Sequence, residues 1–398
     1  MQSELLTLPE KLQPGNQPPE TNLWACWACG TCTAGCPTVN IATGTDPRRL
    51  IRLLQMGRWR ELLDSPSLWL CTMCGRCSTA CPNGIDVGVL VRTVRSYAAA
   101  EGLVAPTLQH IVDVAIETGN NMGVSQEDYL DTLTWMEEEL RAELGDDTVR
   151  IPIDEKGARI MYTLNPREPK FYPLTISAVA KIFHVAGESW TISSKHWDCT
   201  NYALYTGDDR SAGEIARRLA DEAEALGVQA VAFPECGHAY RAFRWGAPRW
   251  LGRHVPAVSV VELVAQYIRE GRLRLDPKRN AIPVTYHDPC NMARREGVVE
   301  EPRLALRSAV EHFVEMEPHG LLNYCCGGGG GVLATTPLAP DRLAKGEVKA
   351  RQIASTGAKI VATACHTCVD QLNELNRHYH LGVRVLNVCE LVTDALVF

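Results

Sequence analysis

Residues 26–37 read CWACGTCTAGCP, and residues 71–82 read CTMCGRCSTACP. Both are C-x2-C-x2-C-x3-C-P. Three thiolates that close together fit three corners of a cubane 4Fe–4S cluster, and the fourth, before proline, reaches the other cluster. The spacing assigns Cys26, Cys29, Cys32 and Cys81 to one cluster, and Cys71, Cys74, Cys77 and Cys36 to a second. Gly30 and Gly75 suit tight turns around the sulfurs. Two structural zinc sites would also use four thiolates each. Two complete repeats, each closed by proline, favour clusters.

A second group of cysteines has another pattern. Residues 322–332 read LNYCCGGGGGV, with Cys290 upstream and a C-x-x-C pair, Cys365 and Cys368, downstream. Five thiolates are one more than a cubane or a zinc ion takes. A fifth makes sense if one thiolate bridges irons or if the cluster is opened out. The glycines would permit positive φ just after the pair. They would also clear side chains away, so that amides approach the sulfurs and an outside sulfur reaches iron. A phosphate loop would need Gly-Lys-Ser/Thr, which is absent. A vicinal disulfide leaves Cys290, Cys365 and Cys368 without a purpose, and a flexible linker does not fit between ligands.

Composition bounds the rest. The chain has 398 residues, enough for two or three domains, with 45% hydrophobic and 22% charged residues. Its net charge of −7 argues against a nucleic-acid partner. No apolar run reaches membrane-spanning length, and the start, MQSELLTLPEKLQPG, lacks the layout of a signal peptide. A cytoplasmic location is expected. In a reducing compartment, 16 cysteines read as metal ligands rather than disulfides.

The elements that must position these cysteines follow from local signals. Asp46 and Pro47 start a helical insert between the first two motifs, and GVLVRTVRSYAAAEG forms a helix after them. Helices over PTLQHIVDVAIETGNNMG and SQEDYLDTLTWMEEELRAELG read as a connector. From about residue 156 short β-branched runs (ARIMYTL, VQAVAF, IPVTYH, KIVATA, VRVLNV) alternate with amphipathic helices, which implies α/β layers with a largely parallel sheet. This part repeats itself: VQAVAFPECGHAYRAF resembles AKIVATACHTCVDQL, and AVSVVELVAQYI resembles VRVLNVCELVTDAL. By this pairing the first copy keeps only Cys199 and Cys236, while Arg167, Asp198 and Ala239 fall near the other three places. The expected organisation is α+β and multidomain. An α-helical two-cluster ferredoxin spans 1–105 and a helical linker 106–155. A degenerate first cysteine-rich half spans 156–280, and a complete second half 281–398.

The CCG arrangement with C-x-x-C resembles the cysteine-rich domain of heterodisulfide reductase, and its fusion to a two-cluster ferredoxin resembles the D-type subunit. PECGHAYRAFRW, YHDPCNMARREGVVEEPR and NYCCGGGGGV look closer still to the catalytic iron–sulfur subunits of the membrane complex associated with dissimilatory sulfite reduction. The resemblance implies that Cys290, Cys325, Cys326, Cys365 and Cys368 hold a noncubane 4Fe–4S cluster that cleaves disulfides. Two cubane clusters would feed it. The implied partners are an integral membrane cytochrome b-type quinone-reactive subunit, a disulfide or trisulfide of a small thiol or sulfur-carrier protein, and further cytochrome c or ferredoxin subunits. The chain would then lie peripherally on the cytoplasmic side of the membrane. His238, Glu235 and His366 are candidate proton donors, and His287 reads as a hydrogen-bonder that orients ligands. Cys199 and Cys236 are core thiols or line the substrate pocket. RAFRWGAPRWLGRH is a solvated face or a dock for an acidic or membrane partner. Two other classes stay open: an electron-transfer subunit beside a flavoprotein dehydrogenase, and a module with structural zinc in the last motif.

Overall fold

The computed structural model describes Glu10 and residues 21–41, 46–63 and 65–398. The start of the chain, read above as free of a leader, lies almost wholly outside the described residues, as do Gly44 and Thr45 of the insert. The N-terminal module is helical. Its elements are α1 (Thr31–Ala34), α2 (Pro47–Gln55), α3 (Arg60–Leu63), α4 (Pro66–Leu70), α5 (Arg76–Thr79) and α6 (Val87–Ala100). The two cysteine motifs fold alike. Gly30 (φ 85°) and Gly75 (φ 79°) open the one-turn helices α1 and α5, which carry Cys32 and Cys77. A side chain in that left-handed conformation costs roughly 1–2 kcal/mol. Asp46 caps α2 by accepting from Arg48 N and Arg49 N, with Pro47 in the first turn, as its sequence predicts. The insert is three short helices, whose Leu50, Leu54 and Leu62 pack with Leu90 and Val94 of α6 in one core.

Two connecting helices follow, α7 (Pro106–Thr118) and α8 (Gln126–Leu144). They are part of the packed structure. Tyr129, Leu133, Met136 and Leu140 of α8 enter the core under the first sheet, and Tyr129 stacks on Trp197 at 4.3 Å. Val112 and Ala115 of α7 pack on Ala203, Ala212 and Ile215.

The remaining chain holds eight strands: β1 (Ile160–Tyr162), β2 (Trp190–Ile192), β3 (Ala230–Phe233), β4 (Ala257–Ser259), β5 (Val284–His287), β6 (Phe313–Val314), β7 (Ile360–Thr363) and β8 (Arg384–Asn387). They form two four-stranded sheets, ordered β2-β1-β3-β4 and β6-β5-β7-β8. Every pair is parallel, with Ile160 opposite Trp190 and Ala230, and Val284 opposite Phe313 and Ile360. The five β-branched runs become β1, β3, β5, β7 and β8. Strands β2, β4 and β6, of three, three and two residues, lie outside those runs. Ser259 and Asn387 end β4 and β8 and open the next helices with capping boxes to Glu262 and Glu390. Residues of both sheets, Ile160, Val231, Val284 and Ile360 among them, share one core.

One close approach ties the helical module to the first sheet. Gly207 has φ 82°, and a Cβ there would lie 2.6 Å from Ser96 N and 2.8 Å from Arg92 O of α6. Gly252 has φ 67° with nothing within 4 Å. Gly252→Ala should therefore cost only the left-handed penalty, about 1 kcal/mol. Gly207→Ala should cost about 2 kcal/mol more, through backbone overlap. Anaerobic thermal melts compare the two, and equal melting temperatures would contradict this contact.

Candidate iron–sulfur site

In a parallel sheet, loops at the carboxyl ends of adjacent strands converge where the strand order reverses. In the second sheet β5 lies between β6 and β7. Cys290 follows β5, Cys325 and Cys326 follow β6, and Cys365 follows β7 as the N-cap of helix His366–Tyr379, with Cys368 in its first turn. All five are buried free thiols in one cluster with Met316 and Leu372. Cys326 Sγ lies 3.5 Å from Cys368 Sγ. Cys325 contacts Cys290 and Cys326, and Cys368 contacts Cys365.

The ferredoxin cysteines divide into two groups. Cys36, Cys71, Cys74 and Cys77 line one enclosed cleft together with Thr72 and Lys345. The fourth cysteine of the first motif therefore stands among the first three of the second. Cys29 is exposed, and Cys26, Cys32 and Cys81 are half-buried, with Cys26 and Cys81 packed on the helical core. Backbone N–H groups point at sulfur in each motif: Ala28 N to Cys26 Sγ and Met73 N to Cys71 Sγ, both 3.4 Å, and Gly327 N to Cys325 Sγ, 3.3 Å. Cys74 of that cleft touches Cys325 of the five-cysteine group thiol to thiol, and Thr72 Oγ1 lies 3.6 Å from Cys325 Sγ.

The glycine run explains this approach. Gly327 has φ 104°, as expected just after the pair, and Gly330 and Gly331 have φ 66° and 84°. Gly328 is not left-handed; a Cβ there would meet Gln371 Cβ at 2.9 Å. An amide of the run approaches sulfur as expected, Gly327 N to Cys325 Sγ, and the later glycines are covered by a neighbouring segment. A Cβ on Gly330 would fall 2.6 Å from Thr72 Cα and 2.7 Å from Cys71 O, and one on Gly331 would fall 2.8 Å from Leu108 Cδ2. The glycines let the five-cysteine loop lie flush against the second ferredoxin motif.

Cations that the sequence did not single out surround the cysteines. Arg95, fully buried on α6, donates to Leu68 O, Trp69 O, Cys71 O, Tyr205 O and Gly330 O. Lys345 Nζ reaches Leu70 O at 3.2 Å and Thr72 Oγ1 at 3.0 Å. Lys349 Nζ bonds Asn323 Oδ1 and lies 3.6 Å from Met316 Sδ. Among the described residues none of the three hydrogen-bonds a carboxylate. Burial lowers the Arg95 guanidinium to about 10 and the Lys349 ammonium to about 7. Buried charge without a counter-charge is expensive. Thiolate-ligated clusters are anionic, so the cations and the converging thiols fit such groups in both the second ferredoxin site and the five-cysteine site. Arg294 adds a bond to Cys74 O at 3.0 Å, and Arg295 pairs with Asp86, the cap of α6.

The histidines fall at different depths. His287, at the end of β5, groups with Cys326 and Cys368 so that one ligand atom of each lies within 4.8 Å of the others. The sequence reading has it orient ligands by hydrogen bonding, yet neither ring nitrogen has a hydrogen-bond partner. Burial, with Lys349 nearby, holds it well below its ordinary pKa. His238 is not among the five cysteines. Its Nδ1 is 3.4 Å from Cys236 Sγ, and its ring lies against Tyr202 and Tyr205, at 4.8 and 5.8 Å. His366 Nε2 is 3.5 Å from Glu168 Oε2 of the first half. Glu235 accepts from Val388 N and Cys389 N at 2.7 and 3.2 Å, and burial raises it to about 8. The arginine–tryptophan run is largely neutralised by its own neighbours. Arg253 pairs with Asp221 and Glu224, Arg244 with Glu262 and Glu296, and buried Arg241 bonds Met73 O and Asn291 Oδ1.

Comparison with known proteins agrees with this arrangement. Residues 15–85 match the 4Fe-4S dicluster domain family, and residues 284–373 match the family described as a cysteine-rich domain, CCG. The chain is 31% identical to the D-type subunit of the dihydromethanophenazine:CoB–CoM heterodisulfide reductase of Methanosarcina barkeri, over 52% of this chain and 51% of the relative. It is 27% identical to Hdr-like menaquinol oxidoreductase iron-sulfur subunit 2 of Archaeoglobus fulgidus, over 79% and 64%. It is 25% identical to EtfAB:quinone oxidoreductase of Syntrophomonas wolfei, over 45% and 27%. The chain spans about half the length of the heterodisulfide reductase relatives it matches. It is an iron–sulfur protein that joins a dicluster domain to a cysteine-rich domain. Within that class it is a relative of the D-type subunits of heterodisulfide reductase and of the Hdr-like iron–sulfur subunits.

Lys345 offers a test of the charge argument. Lys345→Met removes a cation beside the Cys36, Cys71, Cys74 and Cys77 cleft. A cation stabilises the reduced, more negative state, so the potential of that centre should fall. A Coulomb term on the order of 1 kcal/mol corresponds to tens of millivolts for one electron. An EPR redox titration reads this. A shift confined to the more exposed centre, or no shift, would contradict the placement.

Proposed function

We propose that this chain is the iron–sulfur catalytic subunit of a heterodisulfide reductase-like complex. In this reading Cys26, Cys29, Cys32 and Cys81 hold one cubane 4Fe–4S cluster, and Cys71, Cys74, Cys77 and Cys36 hold the second. Cys290, Cys325, Cys326, Cys365 and Cys368 hold a noncubane 4Fe–4S cluster. The substrate is a disulfide or trisulfide of a small thiol or a sulfur-carrier protein. The observation that carries the reading is the thiol contact between Cys74 and Cys325, which joins the electron-delivering motif to the five-cysteine site. When bound, the clusters supply one-electron steps and an iron open to sulfur, which disulfide cleavage needs in a two-electron sum.

The chain's own residues do the rest. Exposed Cys29 puts the first site where an electron donor can dock, and the enclosed second site adjoins the five cysteines through Cys74. Lys349 and Arg294 set positive charge beside Asn323, two residues before the cysteine pair, where negative charge builds up. His287 faces Cys326 and Cys368 with both ring nitrogens free of hydrogen bonds, so it can take part in holding the centre or the incoming sulfur. His238 can deliver a proton to Cys236, which it contacts.

The two sheets share one strand order, which supports reading them as a duplicated pair whose first copy has lost three ligands. We extend this reading to the boundaries 1–105, 106–155, 156–280 and 281–398. No described helix is long and apolar enough to cross a membrane. Attachment would come through an integral membrane cytochrome b-type quinone-reactive subunit, with cytochrome c or ferredoxin subunits as further members. Similarity to an EtfAB:quinone oxidoreductase favours a second reading, in which the chain only relays electrons beside a flavoprotein.

Metal analysis of anaerobically purified protein should give about twelve irons per chain, three clusters of four. Eight irons with one zinc would replace the catalytic reading with a structural-zinc one. Reduction of a disulfide substrate by the loaded chain without any flavoprotein separates catalysis from relay.

The crossed fourth ligand has its own test. Cys36→Ser should damage the centre built by Cys71, Cys74 and Cys77 and spare the other, with Cys81→Ser doing the reverse. Low-temperature spectra that locate each loss in the sequence-local motif would overturn the assignment.

A further inference from the structure

The first sheet has the same switch point as the second. β1 lies between β2 and β3, and Cys199 and Cys236 stand at the carboxyl ends of the chain segments that flank it. Cys199 N bonds Leu164 O at 2.9 Å, which fixes its loop to the end of β1. Cys236 caps helix Gly237–Arg241, as Cys365 caps its counterpart. Both thiols are buried, and they hydrogen-bond each other. The pair is dressed for sulfur chemistry on one side only. Asn165 Nδ2 donates to Cys236 Sγ at 3.4 Å, and His238 Nδ1 lies 3.4 Å from the same sulfur. The rest of the His238 ring is enclosed by Tyr202 and Tyr205, and its Nε2 has no hydrogen-bond partner. A packing cysteine needs no donors at its sulfur. Burial holds the Cys199 thiol protonated, whereas at Cys236 burial is outweighed by the Cys199 hydrogen bond and by His238, which pull that thiol down.

We infer that Cys199 and Cys236 form a redox-active dithiol–disulfide couple beside the five-cysteine site. The link to that site is short: Glu235 O accepts from His366 N at 2.8 Å, and the field of Cys236 reaches Cys365. In the oxidising direction the two thiols join as a disulfide and release two electrons and two protons. The electrons pass to the five-cysteine site, where a substrate disulfide takes them with two protons and becomes two thiols. One dithiol is oxidised and one disulfide is reduced, so the exchange balances. The ferredoxin sites then return two electrons singly, and two protons from solvent restore the two thiols, the one for Cys236 passing through His238 Nδ1. The couple makes two electrons available together next to a centre that is filled one electron at a time. This rests on the proposed disulfide-reducing function.

Trypsin separates the two cysteines cleanly, since residues 196–210 and 219–241 each hold one. The holoprotein is poised anaerobically with redox mediators, from strongly reducing potentials to that of glutathione disulfide. It is quenched with acid and alkylating agent, then mapped by mass spectrometry. A linked 196–210/219–241 peptide should grow with potential and vanish on reduction. Reductive titration should also take up about two electrons more per chain than in Cys199→Ser or Cys236→Ser. Iron is counted on the same samples. Full iron with no linked peptide at any potential overturns the couple and leaves the catalytic reading intact. A linked peptide in protein lacking the third cluster overturns the catalytic reading and, with it, the electron route proposed for the couple.

Discussion

The structure turns on one buried guanidinium. Arg95 on α6 gathers five carbonyl oxygens from α4 and the second cysteine motif, from Tyr205 in the first α/β half, and from Gly330 in the second. These are the bodies that must stay in register for electrons to cross. Neutral carbonyls satisfy its donors without cancelling its charge. An isolated buried charge would cost several kcal/mol, and Lys345 and Lys349 add to the same penalty. The anionic centres that the thiols would hold are the natural counter-charge. Clusters bound there would couple their assembly to docking of the halves on the helical module, as in other proteins where metal binding supplies folding energy.

That coupling explains what the glycines do. A loop bearing two adjacent ligands needs the left-handed turn at Gly327. It needs no further glycine for its own sake. Gly330 and Gly331 are required because Cys71, Thr72 and Leu108 occupy the volume where side chains would stand. Closeness between the two redox sites is built from the absence of side chains on one loop and the placement of Arg95 behind the other. The same closeness shields the face of the five-cysteine site toward the ferredoxin. The junction with the first half is another boundary of the site, where His366 meets Glu168 and Arg167 pairs with Asp370.

The chemistry was easier to read in the sequence than its setting. Cysteine spacing is local, so both ferredoxin motifs, the left-handed Gly30 and Gly75 and the capped start of α2 were legible. So were the five long strand runs and the helices between them. Strands β2, β4 and β6 were not among those runs. The buried cations were invisible. Lys345 and Lys349 lie four apart on an amphipathic helix and look like a solvated face, and only tertiary placement turns them inward. The arginine–tryptophan run misled in the opposite direction, since its charges looked free and meet acids distant in sequence. The glycine run was half legible: positive φ follows from the turn, whereas close approach depends on a partner about 250 residues away in the chain.

Sheet topology supplies the last step. In each half the order reverses at the first strand, so the loops after three strands must meet at one point whatever residues they carry. The backbone thus fixes a site twice and leaves its content to a handful of positions. In the second half those positions bear five thiols, a histidine and a ring of cations, and the ferredoxin docks against them. In the first half they bear two thiols, an amide and a histidine, and Arg167 stands near the place of Cys290, where its guanidinium pairs with Asp370 of the other half. Two thiols are too few to hold a cluster of that kind, but the crevice is there, and it faces the second half through Glu235 and Glu168. A crevice so placed must be filled by something compatible with a neighbouring redox centre. Two cysteines with a proton donor at one sulfur fit that constraint better than an apolar plug, because an apolar plug would leave Asn165 and His238 without acceptors in the core.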